Sequence, residues 1–208
     1  MVVDGYLAGA ELAAELLRNP AVGHHWTEPS ALPEYRISGL AGHLAIAVFH
    51  GLSVLDTPLP DGTAPVDAVV YYSRTKPGPP LDAPLQQRIR EVSQQQAGAD
   101  QADLIGRVDA TLAALHATVP TVPLDRLVCF RDRVLPYGDW LLTRLVELAV
   151  HMDDLAVSLD IETPELPPPA ADLVLTTLVR VAAVHHGPVA VLRALSRRER
   201  AVLTISAF

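Results

Sequence analysis

Apolar and polar residues follow the period of an α-helix most clearly between Asp139 and Leu159. This segment contains no Pro or Gly, and its apolar side chains cover nearly the whole circumference of a helix. The polar exceptions recur at spacings of 3, 4, 3 and 4 residues, which places them on one narrow face: Arg144, Glu147, His151, Asp154 and Ser158. Such a stripe is either a thin strip facing solvent or a polar channel inside a helical bundle.

Elsewhere the apolar pattern predicts further helices separated by proline and glycine. They span residues 4–18, 37–55, 64–74, 82–117 with a break near Gly98, and 170–186, and a last short helix ends near Leu195. Loops or proline-rich turns are predicted at residues 20–36, 56–63, 76–80 and 162–169, and a short extended segment or ordered loop at residues 126–130. We therefore predict an all-α fold in a single domain over residues 1–208: an up-and-down bundle of four main helices with accessory C-terminal helices.

Composition narrows the class of protein. Half of the 208 residues are apolar and 5% are aromatic, which favours helices around a core large enough to fold without disulfides. The net charge of −8 argues against nucleic acid as a partner, because phosphate binding needs a basic surface. The single cysteine, Cys129, lies in an apolar segment, which predicts a buried, unreactive thiol and a reducing compartment. Without a signal-peptide pattern or a membrane-spanning apolar run, we expect a cytoplasmic protein with no membrane partner.

The candidate chemistry comes from polar side chains on two otherwise apolar helices. Glu147 and His151 are one turn apart, so their Cβ atoms lie roughly 5–6 Å from each other and the two side chains can coordinate the same metal ion. His43 and His50 are the strongly polar residues of the helix over residues 37–55. Burying such groups unpaired would cost roughly 2–7 kcal/mol each, which favours a shared partner inside the bundle. Two imidazoles and one carboxylate, from His43, His151 and Glu147, are a known ligand set for catalytic zinc with an open fourth position.

The same ligand set also suits iron, nickel or manganese, so the metal stays open. Arg144 and Asp154 lie one turn to either side, and we expect Asp154 to accept a ring proton and Arg144 to orient a carboxylate. His50 is a further candidate ligand, but we expect it to lie at the surface or to support the ligands without binding the metal. The competing interpretation is a chance Glu-x3-His match and histidines satisfied by core packing. The remaining histidines are interpreted as solvent-facing or as helix C-terminal residues that favour the helix dipole: His24, His25, His116, His185 and His186.

Three segments carry a family resemblance: SALPEYRISGLAGHLA at residues 30–45, LVELAVHMDDLAVSLDIETPELP at residues 145–167 and HHGPVAVLRALSRRERA at residues 185–201. They resemble the mycothiol-dependent maleylpyruvate isomerase N-terminal branch of the DinB/YfiT-like metalloprotein superfamily. The resemblance implies a four-helix bundle in which a His of the second helix and a Glu/His pair of a later helix hold a divalent metal, usually zinc. The matching positions in this chain are His43, Glu147 and His151, the set that the spacing argument selects independently.

The resemblance further implies an enzyme that uses a low-molecular-weight thiol such as mycothiol, in a transfer or isomerisation reaction with an electrophilic substrate. Coordination to the metal would deprotonate the sulfur and supply a nucleophile at neutral pH. The resemblance also implies that the isomerase itself carries an additional C-terminal domain that contributes to its active site, and because the sequence ends at Phe208 we expect no such domain here. The isomerase activity and the substrate therefore stay open. The alternatives are a metal-dependent hydrolase and a non-catalytic module that binds metal or a small molecule, and the apolar helix surface is also compatible with a homodimer.

Overall fold

The computed structural model describes residues 1–73, 83–197, 199 and 204–207, and these residues are mostly helical. The helices are α1 (Val2–Arg18), α2 (Pro20–His24), α3 (Ile37–Ser53), α4 (Ala68–Ser73), α5 (Pro84–Ala97), α6 (Gln101–Thr118), α7 (Tyr137–Ser158), α8 (Pro168–His186) and α9 (Pro188–Ser196). A short 3-10 turn (Val119–Thr121) follows α6, and two antiparallel strands, β1 (Leu127–Phe130) and β2 (Arg133–Pro136), form a hairpin before α7. The all-α prediction is confirmed.

Several element boundaries differ from the prediction. The predicted loop over residues 20–36 begins with helix α2, because the Asn19 side chain accepts a hydrogen bond from the Ala21 N–H and Pro20 suits the first turn. Helix α4 begins at Ala68, later than the predicted start at residue 64. The predicted break at Gly98 separates α5 from α6, where Gly98 adopts φ +76°. The predicted interruption at residues 76–80 lies outside the described residues.

Helices α1, α3, α6 and α7 pack around one large apolar core, and α5 lies alongside α3. Two of the largest buried side chains of α7 reach the C-terminal end of α3: the Tyr137 hydroxyl donates to the carbonyl of Gly51 (2.8 Å), and the Trp140 indole N–H donates to the carbonyl of His50 (2.8 Å). Carbonyls in the last turn of a helix have no partner within the helix, so these bonds satisfy them. They also fix α3 against α7, the two helices that carry the candidate ligands.

Helix α5 approaches α3 closely because α3 has a glycine at the contact. A Cβ atom at Gly42 would lie 2.6 Å from the backbone nitrogen of Ala97 and would collide with the carbonyl oxygen of Ser93. Without that side chain the two backbones meet, and Ser93 is completely buried at the contact. The neighbour of Gly42 on α3 is His43, so the close approach delivers a hydroxyl group to the candidate ligand.

A second, smaller apolar cluster joins α8, α9 and α4 to the side of α7 that faces away from α3. Along α8 and α9, several apolar side chains remain more than half exposed: Leu175, Val184, Val189, Leu192 and Leu195. No helix in the described part of the chain combines the length and the hydropathy needed to cross a membrane.

Candidate metal centre

The three candidate ligands meet where α3 packs against α7. Each of His43, Glu147 and His151 offers one ligand atom, and these three atoms lie within 4.8 Å of one another. The His43 and His151 rings are in edge contact, with centroids 4.3 Å apart and planes at 70°. Two distant segments of the chain therefore place two nitrogens and one carboxylate oxygen around a single point, an arrangement that suits a metal ion.

The group is partly buried and stays accessible. The Glu147 and His151 side chains keep 24% and 15% of their surface exposed, and His43 is likewise only partly covered. Among the described residues, no fourth His, Cys, Asp or Glu joins the three. Three protein ligands without a fourth are typical of catalytic rather than structural zinc sites.

His43 is oriented by a chain of hydrogen bonds from α5. The Ser93 hydroxyl donates to the backbone carbonyl of Ile89 (2.7 Å), so its oxygen accepts from Nδ1 of His43 (2.8 Å). This bond places the ring proton on Nδ1 and leaves the Nε2 lone pair free for a metal. Burial, together with the charge of His151, lowers the pKa of His43 to about 3. The ring is therefore neutral at physiological pH, the form that binds metals.

His151 lies between two carboxylates. Its Nδ1 donates to Asp154 (2.8 Å), and its Nε2 is 3.2 Å from Oε2 of Glu147. Burial alone would lower the pKa of His151, but the hydrogen bonds to Asp154 and Glu147 outweigh it and raise the pKa to about 9. Without a metal the ring is therefore a cation, and the proton on Nε2 occupies the place that a metal would take. The contact with Asp154 is the one predicted from the sequence.

Tyr72 of α4 holds the remaining oxygen of Glu147. Its hydroxyl lies 3.0 Å from Oε1 of Glu147 and 2.8 Å from the backbone carbonyl of Thr143. Burial raises the pKa of Tyr72 well above its ordinary value, so the hydroxyl stays a donor. Burial alone would also raise the pKa of Glu147, but the hydrogen bond from His151 and the charge of Arg144 outweigh it and hold the pKa well below its usual range. Glu147 is therefore an ionised carboxylate with one oxygen oriented toward His151.

Arg144 does not contact the carboxylate that it was expected to orient. Its Nε donates to the Thr143 hydroxyl (3.2 Å), and its guanidinium carbon lies 4.3 Å from the centre of the Trp140 ring. Among the described ion pairs, none joins Arg144 to Glu147. The two residues interact through their charges at longer range, since Glu147 raises the pKa of Arg144 against the opposing effect of burial.

Two supporting residues were absent from the sequence prediction: Ser93 and Tyr72. Each belongs to a helix other than those of the ligands, so no spacing argument could connect it to the site. The sequence signal for Ser93 is the glycine beside His43. A glycine there indicates that another helix packs closely, but it does not indicate which residue of that helix makes the contact. Tyr35 is a further neighbour, with its ring centre 5.8 Å from that of His43.

The other histidines and the cysteine lie outside the ligand group. His50 is partly buried against Phe130 and Trp140, which excludes the surface position considered for it, and its Nδ1 is enclosed without a hydrogen-bond partner among the described residues. Cys129 is 2% exposed, as expected for an unreactive thiol. The remaining histidines are exposed or contact backbone carbonyls and surface carboxylates: His24, His25, His116, His185 and His186.

The chain matches a known protein family over most of its length. The family model for the mycothiol maleylpyruvate isomerase N-terminal domain matches residues 7–156, a range that includes all three candidate ligands. Comparisons with curated proteins and with solved structures gave no match. The family is metal-binding, and its match covers well over half of the chain. The chain therefore belongs to the mycothiol maleylpyruvate isomerase N-terminal domain family.

Proposed function

We propose that this protein binds one divalent metal ion through His43, Glu147 and His151 and uses it, with a low-molecular-weight thiol such as mycothiol, in a transferase or isomerase reaction. The observation that carries the proposal is the convergence of the three ligand atoms within 4.8 Å. Zinc is our assignment for the metal, because two imidazoles and one carboxylate are a common set for catalytic zinc. Nickel, iron and manganese accept the same donors, and metal analysis of the purified chain identifies which metal is bound.

The surroundings of the three ligands support metal binding. Ser93 accepts the Nδ1 proton of His43, and Asp154 accepts the Nδ1 proton of His151, so both rings can offer Nε2. Glu147 supplies the negative charge, with its other oxygen held by a tyrosine hydroxyl. Hydrogen bonds of this kind to the non-ligating atoms of metal ligands typically strengthen metal binding 10- to 100-fold.

The thiol enters the proposal through the family and through the open coordination position. A divalent cation lowers the pKa of a thiol that it binds, so that the thiolate is available at neutral pH. The chain's own groups would hold the metal, keep the Tyr72 hydroxyl directed at Glu147, and place the positive charge of Arg144 one helical turn away. Cys129 is buried outside the group, so the reacting sulfur would come from a small molecule.

The proposal is tested by metal analysis of the purified chain and of His151→Ala. We expect about one zinc per wild-type chain and a loss of at least 100-fold in affinity in the variant, with the helical circular dichroism spectrum retained. His116→Ala is the matched control, because His116 is an exposed histidine that contacts Glu11 far from the site. A wild-type chain that binds no divalent metal, or a His151→Ala variant that keeps it, contradicts the proposal.

The catalytic part needs a separate experiment. The zinc-loaded chain is incubated with mycothiol and a panel of electrophiles that includes maleylpyruvate, epoxides and activated halides, and thiol consumption is followed. Metal-dependent consumption that His151→Ala loses supports a transferase or isomerase. Metal binding without thiol consumption would instead favour a metal-binding module, and metal-dependent cleavage of ester or amide substrates would favour a hydrolase.

A further inference from the structure

Arg144 is a buried cation beside the candidate metal centre. Its residue is 6% exposed, and it precedes Glu147 by three positions on α7. Residues three apart on a helix share a face, with Cβ atoms roughly 5–6 Å apart. The charges of the two side chains interact: burial lowers the pKa of Arg144, but the charge of Glu147 and the nearby tyrosines outweigh it and raise the pKa.

The hydrogen-bonding capacity of this guanidinium is mostly unused. Among the described residues, the Arg144 side chain donates one hydrogen bond, from Nε to the Thr143 hydroxyl, and its Nη1 and Nη2 groups donate none. The one fully enclosed side-chain nitrogen or oxygen without a partner in the described part of the chain is Nδ1 of His50. The Nη groups of Arg144 are therefore not fully enclosed.

Two other arginines that lie over aromatic rings contrast with Arg144, while a third, Arg131, lies over Phe130 and is exposed. Arg133 has its guanidinium carbon 5.1 Å from the centre of the Tyr71 ring, and its Nη1 donates to the Tyr71 carbonyl (2.6 Å). Arg107 lies over Phe49, and its Nη2 donates to a backbone carbonyl (2.7 Å). Each of these arginines combines ring contact with an Nη acceptor, and both are more exposed than Arg144. Burial disfavours the charged form of Arg144; its partners in the protein are the charge of Glu147, the Thr143 hydroxyl and the Trp140 ring, which leaves both Nη groups for a ligand.

His50 adds no positive charge beside Arg144. Burial, followed by the charge of Arg144, lowers the pKa of His50 to about 4, so His50 is neutral at physiological pH. His50 and Arg144 both lie beside Trp140. The planar fork of N–H donors of Arg144 matches the geometry of a carboxylate.

We infer that Arg144 binds the carboxylate of a small-molecule ligand whose other end reaches the metal position between His43, Glu147 and His151. This inference rests on the proposed function, since it takes the metal as the second anchor. Arg144 and Glu147 share one face of α7, so a ligand that bridges Arg144 and the metal position carries its carboxylate close to its metal-binding atom. The substrate class is therefore small electrophiles, or thiols, that carry a carboxylate close to the reacting atom.

The test uses two probes that differ only in charge: 3-mercaptopropionate and its methyl ester. Both are titrated into the full chain loaded with cobalt(II), and the sulfur-to-cobalt charge-transfer absorption reports binding, with the thiol proton released to buffer. Charge-assisted hydrogen bonds typically strengthen binding by tenfold or more, so wild type is expected to favour the acid over the ester by at least tenfold. In Arg144→Met, which keeps the apolar stem over Trp140, we expect the ratio to fall at least fivefold while the cobalt content stays the same.

Controls separate this inference from the proposed function. Arg133→Met removes the same charge from an arginine over an aromatic ring and should keep the wild-type ratio. Because Arg144→Met lacks the guanidinium, its acid-to-ester ratio also measures how much the carboxylate of 3-mercaptopropionate binds the cobalt directly. Equal ratios in wild type and Arg144→Met, with cobalt and the sulfur band intact, overturn the inference alone. Loss of cobalt in Arg144→Met assigns Arg144 to metal binding and also overturns it.

Two further outcomes complete the test. A wild-type chain that shows no cobalt binding or no sulfur band contradicts the proposed function and this inference together. If Arg144→Met does not fold by circular dichroism, Arg144→Lys replaces it, because lysine keeps the charge but loses the bidentate fork. A drop of at least threefold in the acid-to-ester ratio then supports the inference, and an unchanged ratio overturns it.

Discussion

The two halves of the candidate site hold their histidines in opposite ways. On the side of α3 and α5, His43 meets a neutral partner, the Ser93 hydroxyl, and burial lowers its pKa to about 3. On the side of α7, His151 lies between Asp154 and Glu147, and although burial opposes it, the hydrogen bonds to these carboxylates raise its pKa to about 9. Two residues of the same type, in edge contact with each other, therefore differ in charge at neutral pH.

This difference shows how the site would exchange a proton for a metal. His43 is ready to coordinate, since its Nε2 carries a lone pair at any pH above about 3. His151 carries a proton on the nitrogen that faces Glu147, and that proton must leave before a metal can bind. The negative charge around His151 attracts a metal and a proton alike, so the α7 half makes metal loading dependent on pH while the α3 half does not.

The largest predicted effect is on metal affinity as a function of pH. Because the pKa of His151 is raised to about 9, one proton is released per metal bound below that pH, and affinity rises about tenfold per pH unit. Between pH 6 and pH 8 we expect an increase of about 100-fold in zinc affinity, levelling off near pH 9. Competition titration with a chromophoric chelator measures it, with corrections for the chelator's own protonation. A flat profile between pH 6 and pH 8 would contradict the assignment of the proton to His151.

The next effect comes from removing one of the two charges that raise the pKa of His151. Asp154→Asn keeps an oxygen that can accept the Nδ1 proton but loses the negative charge, so the pKa of His151 falls toward its ordinary value. We expect zinc affinity at pH 9 to drop about 10- to 100-fold, and the affinity to level off at a lower pH than in wild type. The same competition titration applies, and a levelling point that stays near pH 9 would show that Asp154 does not set the charge of the ring.

The smallest predicted effect belongs to the α3 half. Ser93→Ala removes the acceptor of the His43 Nδ1 proton, so the ring loses its preferred orientation and zinc affinity falls about tenfold. Because His43 is neutral throughout this pH range, the loss is expected to be uniform and the levelling point unchanged. Thr111→Ala is the matched control, since its hydroxyl also donates to a carbonyl four residues earlier, on α6. A shift of the levelling point in Ser93→Ala would refute the contrast between the two halves.

The sequence predicted the helical fold and the grouping of the ligands because both depend on local spacing. The period of apolar residues defines α7 over nearly its full length, and the interval of four residues puts Glu147 and His151 on one face. The link to His43 rested on two further arguments. A polar group on an apolar helix is costly to bury without a partner, and the family resemblance assigns a ligand to this position. The structure brings the three together.

The residues around the ligands could not be predicted, because they come from elements whose packing has no local signature. Ser93 reaches His43 only because Gly42 lets α5 approach α3, and Tyr72 reaches Glu147 from the short helix α4. The packing of Arg144 could not be predicted for a related reason. Spacing placed it near Glu147 but did not show that its side chain packs over Trp140 instead of pairing with the carboxylate.

The central claim is that His43 of α3 and the Glu147/His151 pair of α7 hold one metal that keeps a position open for a thiol. X-ray absorption at the zinc edge, on the zinc-loaded chain before and after addition of mycothiol, tests it most directly. We predict two imidazole ligands and no sulfur before addition, and one zinc–sulfur distance of about 2.3 Å afterwards. Fewer than two imidazoles, sulfur in the metal shell before any thiol is added, or a shell that mycothiol leaves unchanged would contradict the account.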